Sequence, residues 1–124
     1  MSDVQQVIDD YFAMWNEDDD GRRRIVIQRC FVEDGTYTDP LADVIGYDGI
    51  SSMVGALRAS HAGYSLRLSS AIDQHHDRLR FEWEILDAEG GPYLTGVDLA
   101  VLADDGRLVS ITGFFGAVPE RLAA

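Results

Sequence analysis

The chain has 124 residues, 46% hydrophobic and 26% charged, which suits a single globular domain over residues 1–124 with one sizeable core. A net charge of −12 at pH 7 argues against nucleic acid and anionic membrane surfaces as partners, and no apolar run approaches the roughly 20 residues that span a bilayer. Cys30 is the sole cysteine, so no intramolecular disulfide forms; with no basic-then-apolar leader ahead of the first helix, a cytoplasmic protein is expected.

Ser2 or Asp3 is placed to cap a first helix, in which Val4, Val7, Ile8, Tyr11, Phe12, Met14 and Trp15 recur at helical spacing. The acidic run Glu17 to Asp20 has neither histidine nor regular ligand alternation. It reads as a solvated turn and helix cap rather than a metal site. A second helix is predicted over Asp20 to Phe31, burying Val26, Ile27, Cys30 and Phe31. Its Arg22-Arg23-Arg24 cluster reads as a solvated face rather than a phosphate site. Gly35 to Asp39 forms a short strand that Pro40 stops. A third helix opens at Gly46, with Asp48 as its cap, and carries one stripe of Ile50, Met53, Val54, Leu57 and His61 before Gly63.

After Gly63 the period changes to two. Tyr64 to Asp73 alternates, and Leu79, Phe81, Trp83 and Ile85 alternate strictly with charged residues. Tyr93 to Ala103 and Arg107 to Phe115 follow. The turns Asp87 to Gly91 and Asp104 to Gly106 are short enough to make neighbouring strands antiparallel. Helices followed by a strand meander imply an α+β fold with helices on one face of a curved antiparallel sheet. The last two strands are apolar at both parities, so a second subunit is an economical cover for the other face, giving a homodimer.

One residue breaks this pattern. Asp98 lies inside Thr95 to Leu102, otherwise a buried strand. An ionised carboxylate there costs several kcal/mol unless paired, hydrogen-bonded or kept protonated. A neutral carboxyl can donate a hydrogen bond, which is useful in catalysis.

Tyr11 to Asn16, Tyr37-Thr38-Asp39-Pro40, Gly46 to Ile50, Asp98 through Phe115-Gly116, and the closing hairpin Asp105 to Ser110 occur in an order that resembles the nuclear transport factor 2-like superfamily. Within it the chain is similar to SnoaL-like and ketosteroid isomerase-like bacterial proteins, from about Val4 to Gly116. The resemblance implies a cystatin-like cone, in which three helices close the mouth of a strongly curved antiparallel sheet around an apolar pocket. It implies Asp39 as a base beside a substrate carbonyl, and Tyr11 and a protonated Asp98 as donors to the enolate oxygen. A second pocket tyrosine found on the third helix in some members is Val54 here.

Read as residues alone, Asp39 is also an ordinary turn Asp before proline, and Tyr11 a core phenol bonded to backbone. Pro40 has no N–H to donate to Asp39. Trp15, Phe31, Met53, Val54, Phe81, Trp83 and Phe114 are the candidate pocket walls, with His61 near the mouth. His75-His76-Asp77 lies between two strands, and adjacent residues of a strand are expected to point to opposite faces, a poor metal site, so no metal and no cofactor is expected.

The expected ligand is a small apolar carbonyl compound. The expected activity is proton transfer, as in a ketosteroid isomerase-like isomerase or a SnoaL-like polyketide cyclase. A non-catalytic ligand-binding or protein-interaction domain is the alternative. A hydrolase or dehydratase is the third; an Asp–Arg–Asp array of the epoxide hydrolase kind would need an inward arginine, and Arg78 and Arg80 have outward parity.

Overall fold

The computed structural model describes residues 4–122; the cap expected at Ser2 or Asp3 lies outside them. Helix α1 (Val4–Asn16) buries Val7, Ile8, Tyr11, Phe12, Met14 and Trp15 on one face. Asn16 ends it and ties it to the sheet. Its Nδ2 donates to Phe12 O at 3.0 Å and to Leu66 O at 2.9 Å, while its Oδ1 accepts from Leu66 N at 2.8 Å.

Helix α2 (Asp20–Cys30) is capped by Asp19, whose side chain accepts from Arg22 N at 2.8 Å. It stops one residue short of the predicted end. Phe31 is extended and opens a strand paired with Leu108. The arginine cluster is not a uniformly solvated face, because Arg23 is only 1% exposed. Its guanidinium donates to Glu17 O at 2.7 Å, to Ser51 Oγ at 3.3 Å and to Asp20, bracing α2 against the third helix. A buried charge persists when its donors are satisfied in this way.

Strand β1 (Phe31–Asp39) is longer than predicted. It forms a hairpin with an unpredicted β2 (Ala42–Ile45), which precedes α3 (Gly46–Ser60). Asp48 does not cap α3. The N-cap position is Ile45, without a side-chain bond, and Asp48 pairs with Arg24 instead. The single strand expected over Tyr64 to Asp73 is two, β3 (Ser65–Leu68) and β4 (Asp73–His75). Both pair with β5 (Arg78–Leu86), and Ser70 Oγ takes the Glu82 N–H between them at 2.7 Å. Strands β6 (Pro92–Leu102) and β7 (Leu108–Phe115) complete the sheet.

The sheet order is β2-β1-β7-β6-β5-β3, with β4 also on β5. The sheet is mixed, not wholly antiparallel as expected, because β1 and β7 run parallel through Thr36↔Ser110, Tyr37↔Ile111 and Thr38↔Thr112. Short loops make the meander antiparallel, but β1 reaches β7 from the other end of the chain, so no hairpin dictates its direction. Register shifts in the β1–β7, β5–β6 and β6–β7 pairs help bend the sheet around the helices. The three helices lie on a curved open sheet, the α+β arrangement expected. On the outer face Leu99 and Phe114 remain 43% and 54% exposed. No helix among the described residues is long and apolar enough to cross a membrane.

Candidate functional site

Between the helices and the concave face of the sheet lies a cavity of about 350 Å³, near the lower end of small-molecule pockets. Tyr11, Asp39 and Asp98 all line it. They come from α1, the end of β1 and the middle of β6. Its other walls are almost entirely apolar.

Asp98 is 2% exposed. The Tyr11 hydroxyl donates to its Oδ2 at 2.7 Å and Trp83 Nε1 donates to its Oδ1 at 2.9 Å. Burial pushes its pKa up to about 7. The two hydrogen bonds oppose that rise, and the nearby Asp39 charge adds to it. Burial also holds the Tyr11 hydroxyl well above the ordinary phenol range, with the Asp98 charge next in effect. The Tyr11 hydroxyl is therefore neutral at pH 7, while Asp98 itself is poised between its two forms.

Local sequence explains the fit. Trp83 faces Gly96 across β5–β6, and a Cβ on Gly96 would lie 2.2 Å from the indole Cζ2. Gly113 faces Asp98 across β6–β7, and its Cβ would lie 2.8 Å from Asp98 Oδ1, 3.3 Å from Asp39 Cβ and 3.7 Å from the Tyr37 hydroxyl. Those two missing side chains let the indole and the carboxylates share one small volume.

Asp39 is half-buried and doubly held. Tyr37 Oη donates to Oδ2 at 2.6 Å and Leu41 N donates to Oδ1 at 2.8 Å. Pro40 gives no donor, but the next residue does, closing an Asx turn. Tyr37, which sequence reasoning passed over, is a second pocket tyrosine supplied by a strand. Its position two residues before Asp39 puts both side chains on one face of β1, and that spacing was the available signal. Burial and the Asp98 charge raise its pKa far above the usual value.

Of the predicted walls, Trp15, Trp83 and His61 line the cavity. Phe31, Phe81, Met53 and Val54 do not. Phe31 and Phe81 pack behind the Tyr11 ring, with centroids 6.2 and 6.0 Å away. Met53 and Val54 belong to the helix layer, and the cavity begins about a turn further along α3, at Ala56, Leu57 and Ser60. Phe114 faces outward, paired with Val97, and its neighbour Phe115 takes the wall position against Trp83 at 5.8 Å. At the mouth, His61 Nε2 meets Tyr93 Oη at 3.3 Å and Nδ1 meets Ser60 Oγ at 2.7 Å. Arg78 and Arg80 are exposed and paired with Asp77 and Asp73, so neither enters the cavity. Among the described residues no group of three or more His, Cys, Asp or Glu could hold a metal ion.

No family model matches the sequence, and no curated protein matches it. Solved structures do. A candidate polyketide cyclase from Sinorhizobium meliloti is 16% identical with a TM-score of 0.68, over 87% of this chain and 93% of that one. A protein with a ketosteroid isomerase-like fold from Catenulispora acidiphila is 16% identical with a TM-score of 0.70, over 86% and 82%. Likenesses at that identity establish the fold. A candidate isomerase of the SnoaL-like family from Agrobacterium tumefaciens is 32% identical with a TM-score of 0.87, and the match covers 94% of this chain and 100% of that one. Identity of that degree over the whole of the relative goes beyond a shared architecture, and this chain belongs to the SnoaL-like family.

Proposed function

We propose that the protein is an enzyme that moves a proton next to the carbonyl of a small apolar substrate, as an isomerase or a cyclase. The observation that carries this reading is the convergence of Tyr11, Asp39 and Asp98 on one apolar cavity. Asp39 removes the proton from carbon. The carbonyl oxygen, gaining charge as the enolate forms, lies at the Tyr11–Asp98 end. When Asp98 is neutral, a proton on Oδ2 can be donated to Tyr11 Oη, which frees the Tyr11 proton for the cavity. The Asp98 pKa of about 7 makes that neutral form available near pH 7.

The direct test is deuterium exchange at carbons next to the carbonyl of small cyclic ketones, followed by NMR. Wild-type protein accelerates exchange and Asp39→Asn abolishes the acceleration. Equal rates in the two proteins would sink the proposal.

A second reading, a ligand-binding domain without chemistry, is favoured by one observation. Both Asp39 oxygens already accept hydrogen bonds, which dampens a base. Under that reading 2-naphthol binds but no ketone exchanges. On the outer face, Val97, Leu99 and Val101 lie alongside Phe114 on adjacent strands, and we propose that a second copy covers this apolar stripe.

A further inference from the structure

Trp15 is 5% exposed and lines the cavity, yet its Nε1 hydrogen has no hydrogen-bond partner. An indole nitrogen can only donate, and a buried donor left unmade is rare and calls for a reason. The neighbouring donors are committed. The Tyr11 and Trp83 protons go to Asp98 and the Tyr37 proton goes to Asp39. The Trp15 ring stands edge-on between the two tyrosines, 6.3 Å from Tyr11 and 5.4 Å from Tyr37. Its N–H lowers the Tyr11 hydroxyl's pKa against the rise from burial, a weak interaction that falls outside hydrogen-bond geometry. The idle donor and the tyrosine hydroxyl thus serve the same corner of the cavity.

We propose that Trp15 Nε1 is a donor to the ligand's oxygen, alongside Tyr11. Asp98 then stands behind Tyr11 and acts on the ligand through it. This deepens the proton-transfer reading and rests on it only for the identity of the oxygen as a carbonyl or enolate. It restricts the ligand class to compounds whose oxygen reaches the inner end of an apolar body, with a lone pair for the indole as well as one for the phenol. An alcohol, a phenolate or an enolate qualifies, and a pure hydrocarbon does not.

The experiment uses 2-naphthol and naphthalene as paired probes and the indole ¹H–¹⁵N resonances as the readout. The chain has two tryptophans, so Trp15→Phe assigns both signals. In wild-type protein, 2-naphthol is expected to move the Trp15 signal downfield and naphthalene to leave it in place. Trp15→Phe is expected to weaken 2-naphthol about tenfold, the cost of a hydrogen bond of ordinary strength, and naphthalene hardly at all. The inference is overturned by an unmoved Trp15 signal in the presence of bound 2-naphthol. It is equally overturned by equal weakening of both probes, by failure of 2-naphthol to bind, or by a signal already downfield in the free protein, which would reveal a buried water on the indole. The wild-type spectrum decides even where the variant folds poorly. Binding with the shift but without ketone exchange would remove the proton-transfer reading and leave this one standing.

Discussion

The Tyr11 hydroxyl and the Asp98 carboxylate, 87 residues apart in sequence, are joined by a 2.7 Å hydrogen bond inside the protein. The phenol is not a free donor while Asp98 is ionised. A single proton on Asp98 changes which hydrogens face the cavity, so under the proposed function pH is expected to govern ligand binding as well as stability.

Asp98 has an unusual sign for a carboxyl. Its folded pKa, about 7, lies above the 3.8 of the free side chain. Between those values the folded state holds the proton and the unfolded state does not. Stability therefore falls as pH rises from about 4 to about 7, by on the order of 4 kcal/mol from this group. Urea unfolding across that range should show a smaller fall for Asp98→Asn than for wild type. Parallel curves would mean that Asp98 stays ionised throughout.

Tyr11→Phe removes the proton that reaches Asp98 and, with Asp98 neutral, the ligand. A barrier about 3 kcal/mol higher is expected, roughly a hundredfold lower kcat for ketone exchange, with a smaller change in KM. An unchanged kcat would place Tyr11 in the core only.

Gly113→Ala places a methyl group 2.8 Å from Asp98 Oδ1 and 3.3 Å from Asp39 Cβ. Overpacking of this kind costs about 1–3 kcal/mol. Thermal unfolding should register that loss, and calorimetric titration should show weakened 2-naphthol binding even well below the melting temperature.

The outer stripe predicts assembly. Wild-type protein should sediment as a dimer, and Leu99→Asp combined with Phe114→Asp should sediment as a monomer with an intact cavity. A monomeric wild type would leave that stripe without a second copy to cover it.

Local periodicity made much of this legible. Leu79, Phe81, Trp83 and Ile85 are all buried as their alternation requires, and Asp98 is a buried carboxyl in a strand. What escaped was set by distant pairing. Phe114 and Phe115 are adjacent aromatics that must face opposite ways, and only the Asp98↔Gly113 register decides which one reaches the cavity. The parallel β1–β7 contact likewise joins segments about seventy residues apart, beyond the reach of any local pattern. Arg23 was misread for a related reason. Its partners include Ser51, on a different helix, so charge alone could not reveal that it is buried.

Strand β7 sits between β1 and β6, and this has a consequence during synthesis. Until it emerges from the ribosome, the β1–β2 hairpin and the β3–β6 meander share no sheet edge. The half of the site carrying Tyr37 and Asp39 is then linked to the half carrying Trp83 and Asp98 only through the helices, with no strand pairing to fix their register. A nascent chain released before Gly113 would expose the edges of β1 and β6 together, two unpaired templates for aggregation on one molecule. Strand β7 is the one that turns two sheet fragments into one sheet.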